Sequence, residues 1–315
     1  MLDAGTDPLV HQGRTERGLG GVITRGRDRV WAWLVHRPPL DHSQAPDPVD
    51  GRDNVSVELG MLVEGGGEPV VLVHGFTQTL ASWDRVAVNL GRDRKVIRVD
   101  APGHGTSAAV HVDLAQGARL LGESGGRATY VGYSMGGRMA LRLALDQPQL
   151  VRALVLLGAT AGIDDPIERR ERRAHDEALA QRLEAEGVED FVDGWMNQAM
   201  FEAVPRDGSD RAGRMTNSVD GLASSLRLAG TGTMDPPWWD ELDRLDMDTL
   251  VLAGEHDQKF TGLGLRLAET IGPSAHFATI EGAHHAAHLE QPEAFVEVLR
   301  DFLAIQSGSD PEVEA

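Results

Sequence analysis

The sequence contains no cysteine. Disulfides, thiolate metal sites and a cysteine nucleophile are therefore excluded together. Lysine is nearly missing as well: only Lys95 and Lys259 occur, so arginine supplies 28 of the 30 basic residues. Any anion site in this chain must be built from guanidinium forks, whose planar geometry matches a carboxylate. No apolar run approaches the roughly 18 residues that a membrane span requires. The most apolar early stretch, Val30-Trp31-Ala32-Trp33-Leu34-Val35, is short and has no small-residue cleavage site behind it. No secretory signal is expected, and the cytoplasm is the default compartment. Positive charge is in deficit too. The 49 acidic residues leave a formal net charge of −19, a field that disfavours nucleic acid and anionic membranes as partners.

What is present suffices for a real core. The 315 residues are 41% hydrophobic and 25% charged, which suits one large α/β domain or two small ones. Residues 1–53 differ from the rest, with Gly18-Leu19-Gly20-Gly21, Pro38-Pro39, Pro46 and Pro48. They read as an N-terminal extension, partly ordered at best, for which an upstream start without functional meaning is the plain explanation. From Val55 the pattern changes. Val55-Ser56-Val57-Glu58-Leu59 alternates like a half-buried strand, and Val70-Val71-Leu72-Val73 is continuous, like a buried parallel one. Similar runs follow at 96–99, 128–131, 153–157 and 249–253, with a weaker one at 276–280. Helical periods occupy 138–145 and 293–303. Strand alternating with helix predicts an α/β fold with a doubly wound, mainly parallel sheet, its core formed by 54–162 and 241–305. The stretch 163–240 has no strand-like run. It is helical and charged at Glu168-Arg169-Arg170-Glu171-Arg172-Arg173, then punctuated by Gly230-Thr231-Gly232 and Pro236-Pro237. Helices inserted between sheet strands form a lid. Residues 306–315 read as an acidic tail, and no internal repeat is found.

Gly132-Tyr133-Ser134-Met135-Gly136 is a G-x-S-x-G motif. Five letters arise by chance, but the strand before and the helix after give them weight. A serine hydroxyl is inert near neutral pH and needs a base, with a third group to orient that base. Val73-His74-Gly75-Phe76 ends an earlier strand, where the amides of Phe76 and Met135 can together form an oxyanion hole. Losing one such donor costs about 2.7–4 kcal/mol of transition-state stabilisation. Asp257 follows the run 250–253 and is the candidate acid. The chain order Ser, Asp, His then requires a downstream histidine. Gly282-Ala283-His284-His285-Ala286-Ala287-His288 offers three, and spacing does not choose between His284 and His285. The remaining histidines, including His104 in Pro102-Gly103-His104-Gly105, read as surface or loop residues. Asp164 and Asp165, at the lid entrance, read as helix caps.

With these residues the chain resembles the α/β-hydrolase superfamily over about 55–305, through His74-Gly75-Phe76, Asp100-Ala101-Pro102-Gly103-His104-Gly105, the serine turn and the His-rich loop. Within it, the sequence resembles the 2-succinyl-6-hydroxy-2,4-cyclohexadiene-1-carboxylate synthases, lyases that eliminate pyruvate in menaquinone biosynthesis. Tyr133 precedes the serine and Arg138 follows it by four, as in that family. The run from Glu168 to Asp176, Phe191 to Trp195, Arg214-Met215-Thr216-Asn217 and Gly254-Glu255-His256-Asp257-Gln258-Lys259-Phe260 also follow its pattern. Its C-terminal loop, G-A-G-H-x-x-H-L-E, aligned on His288-Leu289-Glu290, puts the base at His285 and leaves His284 where glycine is expected. Residues 1–53 have no counterpart in it.

The resemblance implies a small anionic substrate with several carboxylates, no metal and no cofactor. It implies substrate-binding roles for Tyr133, Arg138, Arg172, Trp195 and Arg214. Plainer roles compete with these. A solvated helix face, with Glu168 and Arg172 as i,i+4 partners, accounts for most of the charged run, and core packing accounts for Tyr133 and Trp195. A serine carboxylesterase, lactonase or C–C bond hydrolase would use the same triad under another lid, and a non-catalytic receptor would use the same scaffold. Oligomeric state is not set by the sequence.

Overall fold

The computed structural model describes residues 58–206 and 208–307. The expected extension 1–53 and most of the expected tail 306–315 lie outside the described residues. Of the alternating run expected as the first strand, 55–57 also lie outside them, and Glu58 and Leu59 belong to no strand. The first described strand is β1 (Met61–Gly65).

It is followed by β2 (Pro69–Val73), β3 (Lys95–Val99), β4 (Ala128–Tyr133), β5 (Val151–Leu157), β6 (Thr249–Gly254) and β7 (Ala275–Ile280). Among the described residues these form one sheet in the order β1-β3-β2-β4-β5-β6-β7. Only the β1–β3 pair is antiparallel. The continuous apolar runs become central strands, with β4 and β6 buried at every position. That burial follows from helices covering both faces of a parallel sheet. Side chains alternate between the faces: Val71, Val73, Leu154 and Leu156 join one core, while Val70, Leu72, Val155 and Leu157 join the other.

The covering helices in the first half are α1 (Asp84–Leu90), α2 (Leu114–Gly125) and α3 (Met135–Asp146). Between β5 and β6 the chain leaves the sheet for α4 (Pro166–Glu186), α5 (Val188–Met196), α6 (Ser209–Arg214) and α7 (Val219–Ala229). It returns through α8 (Gln258–Ile271), α9 (Ala287–Glu290) and α10 (Pro292–Ser307). Asp165 caps α4, accepting from the amides of Ile167 and Glu168, with Pro166 at the first helical position. Its neighbour Asp164 is not a cap but an ion-pair partner of Arg266 on α8. The inserted helices do not stand apart from the core. Ala180, Leu183, Phe191, Leu222 and Leu226 belong to the same apolar cluster as Leu72, Val155 and Tyr133.

Two close backbone approaches position the serine turn and the histidine-rich loop. A Cβ on Gly132 would lie 2.6 Å from Gly137 Cα, so the end of β4 and the start of α3 meet without room for a side chain. A Cβ on Gly254 would overlap the carbonyls of Ala283 and His284, which seats the loop after β7 against the end of β6. Replacing Gly254 by alanine is expected to force this loop away. Overpacking of this kind costs about 1–3 kcal/mol, readable as a lower urea midpoint for Gly254→Ala; an unchanged midpoint would contradict the close approach.

Candidate active site

Ser134 is the single residue between β4 and α3, and its backbone is in the left-handed region at φ 51° and ψ −105°. A non-glycine residue there costs on the order of 1–3 kcal/mol and persists only when its surroundings over-determine it. Here the Ser134 amide donates to Leu157 O at 2.8 Å and that of Gly136 donates to His74 O at 3.1 Å, tying the turn to both neighbouring strands.

The acid and base come from the far half of the sheet. Asp257 follows β6 and caps α8, accepting from the Phe260 amide through Oδ1 at 3.2 Å. Oδ2 remains free to accept from His285 Nδ1–H at 2.7 Å. The loop carrying His285 is held by Glu290, whose carboxylate accepts from the amides of His284 at 2.5 Å and Ala286 at 2.9 Å. His285 is 3% exposed, and its Nε2 lies 3.3 Å from Ser134 Oγ. With Nδ1 as donor, Nε2 carries the lone pair and accepts from the serine hydroxyl. His284 points elsewhere, with Nε2 3.1 Å from Glu202 and Nδ1 3.4 Å from Glu290. Of the two histidines that spacing left open, the structure brings His285 to the serine.

The turn after β2 has nearly all its polar groups claimed. Gly75 N–H donates to Gln78 Oε1 at 2.9 Å, and Gly75 O accepts from His74 Nδ1–H at 2.8 Å. Thr77 N–H donates to His104 Nε2 at 3.3 Å, Thr77 O accepts from Asn217 Nδ2 at 2.7 Å, and Thr77 Oγ1 accepts from Arg214. Among the described residues the amides of Phe76 and Met135 have no protein acceptor. A Cβ on Gly75 would lie 2.6 Å from the Tyr133 ring, so this turn packs directly on the strand end that carries the serine.

His104, expected from sequence as a surface or loop residue, lies in the loop after β3 but not at the surface; it is wholly buried beside His74 and Phe76. Burial, reinforced by the neighbouring His74, lowers its pKa to about 3. Burial also lowers His74 and holds His288 well below the ordinary histidine range. The hydrogen bonds agree. In His74 and His104 alike, Nδ1–H donates to a carbonyl while Nε2 accepts from a backbone amide, a pattern that only neutral imidazole can make.

The arginines fall into two places. Arg138 is 7% exposed and donates to Ala229 O at 2.7 Å. Burial, then the nearby Arg172 guanidinium, pulls its pKa down to about 9 against the opposing pull of Asp176. It remains charged at neutral pH. Arg172 pairs with Asp176 at 2.8 Å rather than with Glu168, because Asp176 lies on the buried side of α4. Asp176 is thus paired with Arg172 and acts on Arg138 only through space, leaving positive charge in surplus. Arg214, 2% exposed, pairs with Asp210 at 2.7 Å. Its bond to Thr77 Oγ1 sets it against the turn after β2, where its charge also acts on His74, His104, Tyr133 and His288. Arg169 and Arg173 turn to Asp235 and to backbone carbonyls.

Tyr133 packs its ring on His285 and His288, with centroids 5.2 and 4.5 Å away. Trp195 packs against Phe76, Phe191 and Phe201, and its buried Nε1–H has no partner among the described residues. No group of three or more histidine and carboxylate side chains stands where a metal ion could be held, again among the described residues.

The family profile described as "Alpha/beta hydrolase family" matches residues 70–298. A 2-succinyl-6-hydroxy-2,4-cyclohexadiene-1-carboxylate synthase of Serratia proteamaculans (strain 568) is 30% identical, over 74% of this chain and 92% of its own. A Bacillus subtilis (strain 168) protein that carries the same name provisionally is 34% identical, over 75% of this chain and 90% of its own. The chain belongs to the α/β-hydrolase family and, within it, to these synthases' family. The solved structure of MenH from S. aureus superimposes with a TM-score of 0.70 at 27% identity, covering 79% of this chain and 99% of that one. An esterase from Thermogutta terrifontis, solved with malate bound, superimposes at 0.65 and 26% identity, covering 79% and 93%.

In this synthase-family chain, sequence reasoning passed over Gln78 and named Asn217 and Glu290 only as part of the family pattern, without a role; all three hold backbone groups of the site. Their signal is three-dimensional, since each is an ordinary polar residue until its partner's position is known. The three buried neutral histidines carry a pH consequence. The folded pKa of His104 lies below its unfolded value, so between about pH 6.5 and 3 the unfolded chain binds the extra proton and stability falls as pH drops. His74 and His288 act in the same direction. Urea midpoints of His104→Gln are expected to fall less steeply than wild type between about pH 6.5 and 5; parallel slopes would contradict a neutral buried His104.

Proposed function

We propose that this chain is a 2-succinyl-6-hydroxy-2,4-cyclohexadiene-1-carboxylate synthase, a lyase that eliminates pyruvate from a multiply carboxylated cyclohexene intermediate of menaquinone biosynthesis. The observation that carries the reading is Arg138, a buried cation hydrogen-bonded to a carbonyl while the nearby carboxylate, Asp176, is paired with Arg172, one helical turn from a serine within reach of an Asp-oriented histidine. Burying a charge without a counter-ion is costly, and an anionic substrate group would relieve that cost. The named relatives support the same reading, since this chain spans about nine-tenths of their length.

Asp257 fixes the tautomer of His285, whose Nε2 then takes the Ser134 proton. The serine oxygen, acting with His285, removes a proton from the ring side of the substrate. Electrons reorganise and pyruvate leaves, while the Phe76 and Met135 amides hold the negative charge that develops. No acyl-enzyme is needed. Arg138 and Arg172 receive substrate carboxylates, each charge-assisted bond contributing on the order of 1.5–3 kcal/mol. Tyr133 and Trp195 line the same pocket, with the free Trp195 Nε1–H as a donor. Arg214 acts from beneath the oxyanion turn. No helix among the described residues is long and apolar enough to cross a membrane, and a cytoplasmic location belongs to this proposal.

A coupled pyruvate assay on the pathway's pyruvate-bearing intermediate tests the reading. Ser134→Ala is expected to abolish nearly all release, and full release by that variant would reject the mechanism. Arg138→Ala is expected to lower kcat/KM about 10- to 100-fold while sparing hydrolysis of small neutral esters. Equal loss on both substrates would make Arg138 structural. Likeness to the Thermogutta esterase keeps ester hydrolysis as a second reading; efficient turnover of nitrophenyl esters with no pyruvate released would establish it instead.

A further inference from the structure

The turn that presents the Phe76 amide is not held by the core alone. We infer that Asn217, in the lid segment between α6 and α7, is a positioning residue that sets the oxyanion turn through two linked peptide planes. The inference rests on the proposed site only in that the Phe76 amide receives developing charge.

Asn217 has both amide donors and its oxygen engaged. Its Nδ2 donates to Thr77 O at 2.7 Å and to Arg214 O at 3.1 Å, and its Oδ1 accepts from Gly105 N–H at 2.8 Å. These three partners fix the amide's orientation. Flipped, it would set an oxygen against two carbonyls and an NH2 against an N–H. The side chain is buried, so water does not substitute for these bonds.

The path to the oxyanion hole is short. Thr77 O belongs to the same planar peptide as Gln78 N–H, and Gln78 N–H donates to Gly75 O at 3.2 Å. Gly75 O in turn belongs to the same peptide as Phe76 N–H, which points the opposite way and has no protein acceptor among the described residues. Each plane is thus held at one end so that its other end is aimed. Bonds in such a chain also polarise one another and strengthen the terminal donor. The arrangement needs an outside tether, because Thr77 is a non-glycine residue at φ 66°, and a conformation of that kind survives only where its surroundings impose it. His104 and Arg214 grip the other polar atoms of Thr77; among the described residues Asn217 alone grips the carbonyl that begins the relay.

Asn217→Asp removes the donation to Thr77 O together with the longer one to Arg214 O. It is isosteric and keeps an acceptor for Gly105 N–H, but turns an oxygen toward Thr77 O. Asn217→Ser, neutral and short, is the second variant should the aspartate impair folding. Two rates are read per active site, with sites counted by titration: pyruvate release, and phosphonylation of Ser134 by a nitrophenyl alkylphosphonate, whose phosphoryl oxygen needs the same amides. Both rates are expected to fall together by about 10- to 100-fold, with KM for the carboxylate substrate within about twofold of wild type. The pH profile of phosphonylation should not move, because His285 and Asp257 are untouched. Wild-type rates per titrated site, or a loss confined to KM or to thermal stability, would overturn the inference. If wild-type protein releases no pyruvate but the variants are still slowly phosphonylated, the proposed reaction fails and the role of Asn217 stands.

Discussion

The site depends on one backbone constraint, a serine held in left-handed geometry where β4 gives way to α3. A parallel sheet ends all its central strands along one edge, so the residues just beyond β2, β4 and β6 meet there. Glycines at 132 and 136 let the chain reverse within one residue. The reversal lifts the Ser134 hydroxyl toward a histidine delivered from the end of β7, and it presents the Met135 amide at the head of α3. The strain is tolerated because β4 and α3, which it joins, and the ends of the neighbouring β2 and β5 hold it in place.

Charge imposes the second constraint. At −19 the molecule repels a polyanion at long range, yet mobile salt screens such repulsion beyond about 8–10 Å. Inside that distance the fixed guanidiniums decide. Arg172 is paired with the one carboxylate near Arg138, and a third cation, Arg214, is tied to Asp210 beside the turn after β2. A site with cationic surplus in one place and, in another, a neutral turn whose Phe76 amide has no protein acceptor among the described residues suits the proposed substrate, anchored by carboxylates while charge moves elsewhere on it.

Much of this was legible in the residues. The α/β class could be read because buried parallel strands are continuous apolar runs, and β2, β4, β5 and β6 are such runs. The edge strand β1 was missed because its residues are mostly exposed, and Met61 to Gly65 carry no alternating pattern. The serine turn and Asp257 were visible because glycine and strand boundaries mark them locally. His285 could not be told from His284 by spacing, since the choice is made by Glu290 and Asp257, which lie elsewhere in the loop and across the sheet. His104 was misplaced for a related reason: burial of a polar ring depends on His74, Phe76 and Thr77 closing over it. The inward turn of Arg214, the pairing of Arg172 with Asp176 and the tether from Asn217 are likewise properties of packed elements rather than of any local pattern.

The proposal that Ser134, His285 and Asp257 act together as a proton acceptor and not through a serine nucleophile is tested most directly by intact-protein mass spectrometry on samples quenched during steady turnover. The unmodified mass is expected at every time point while pyruvate accumulates. A substrate-derived adduct on Ser134 that forms and decays at the turnover rate would contradict it.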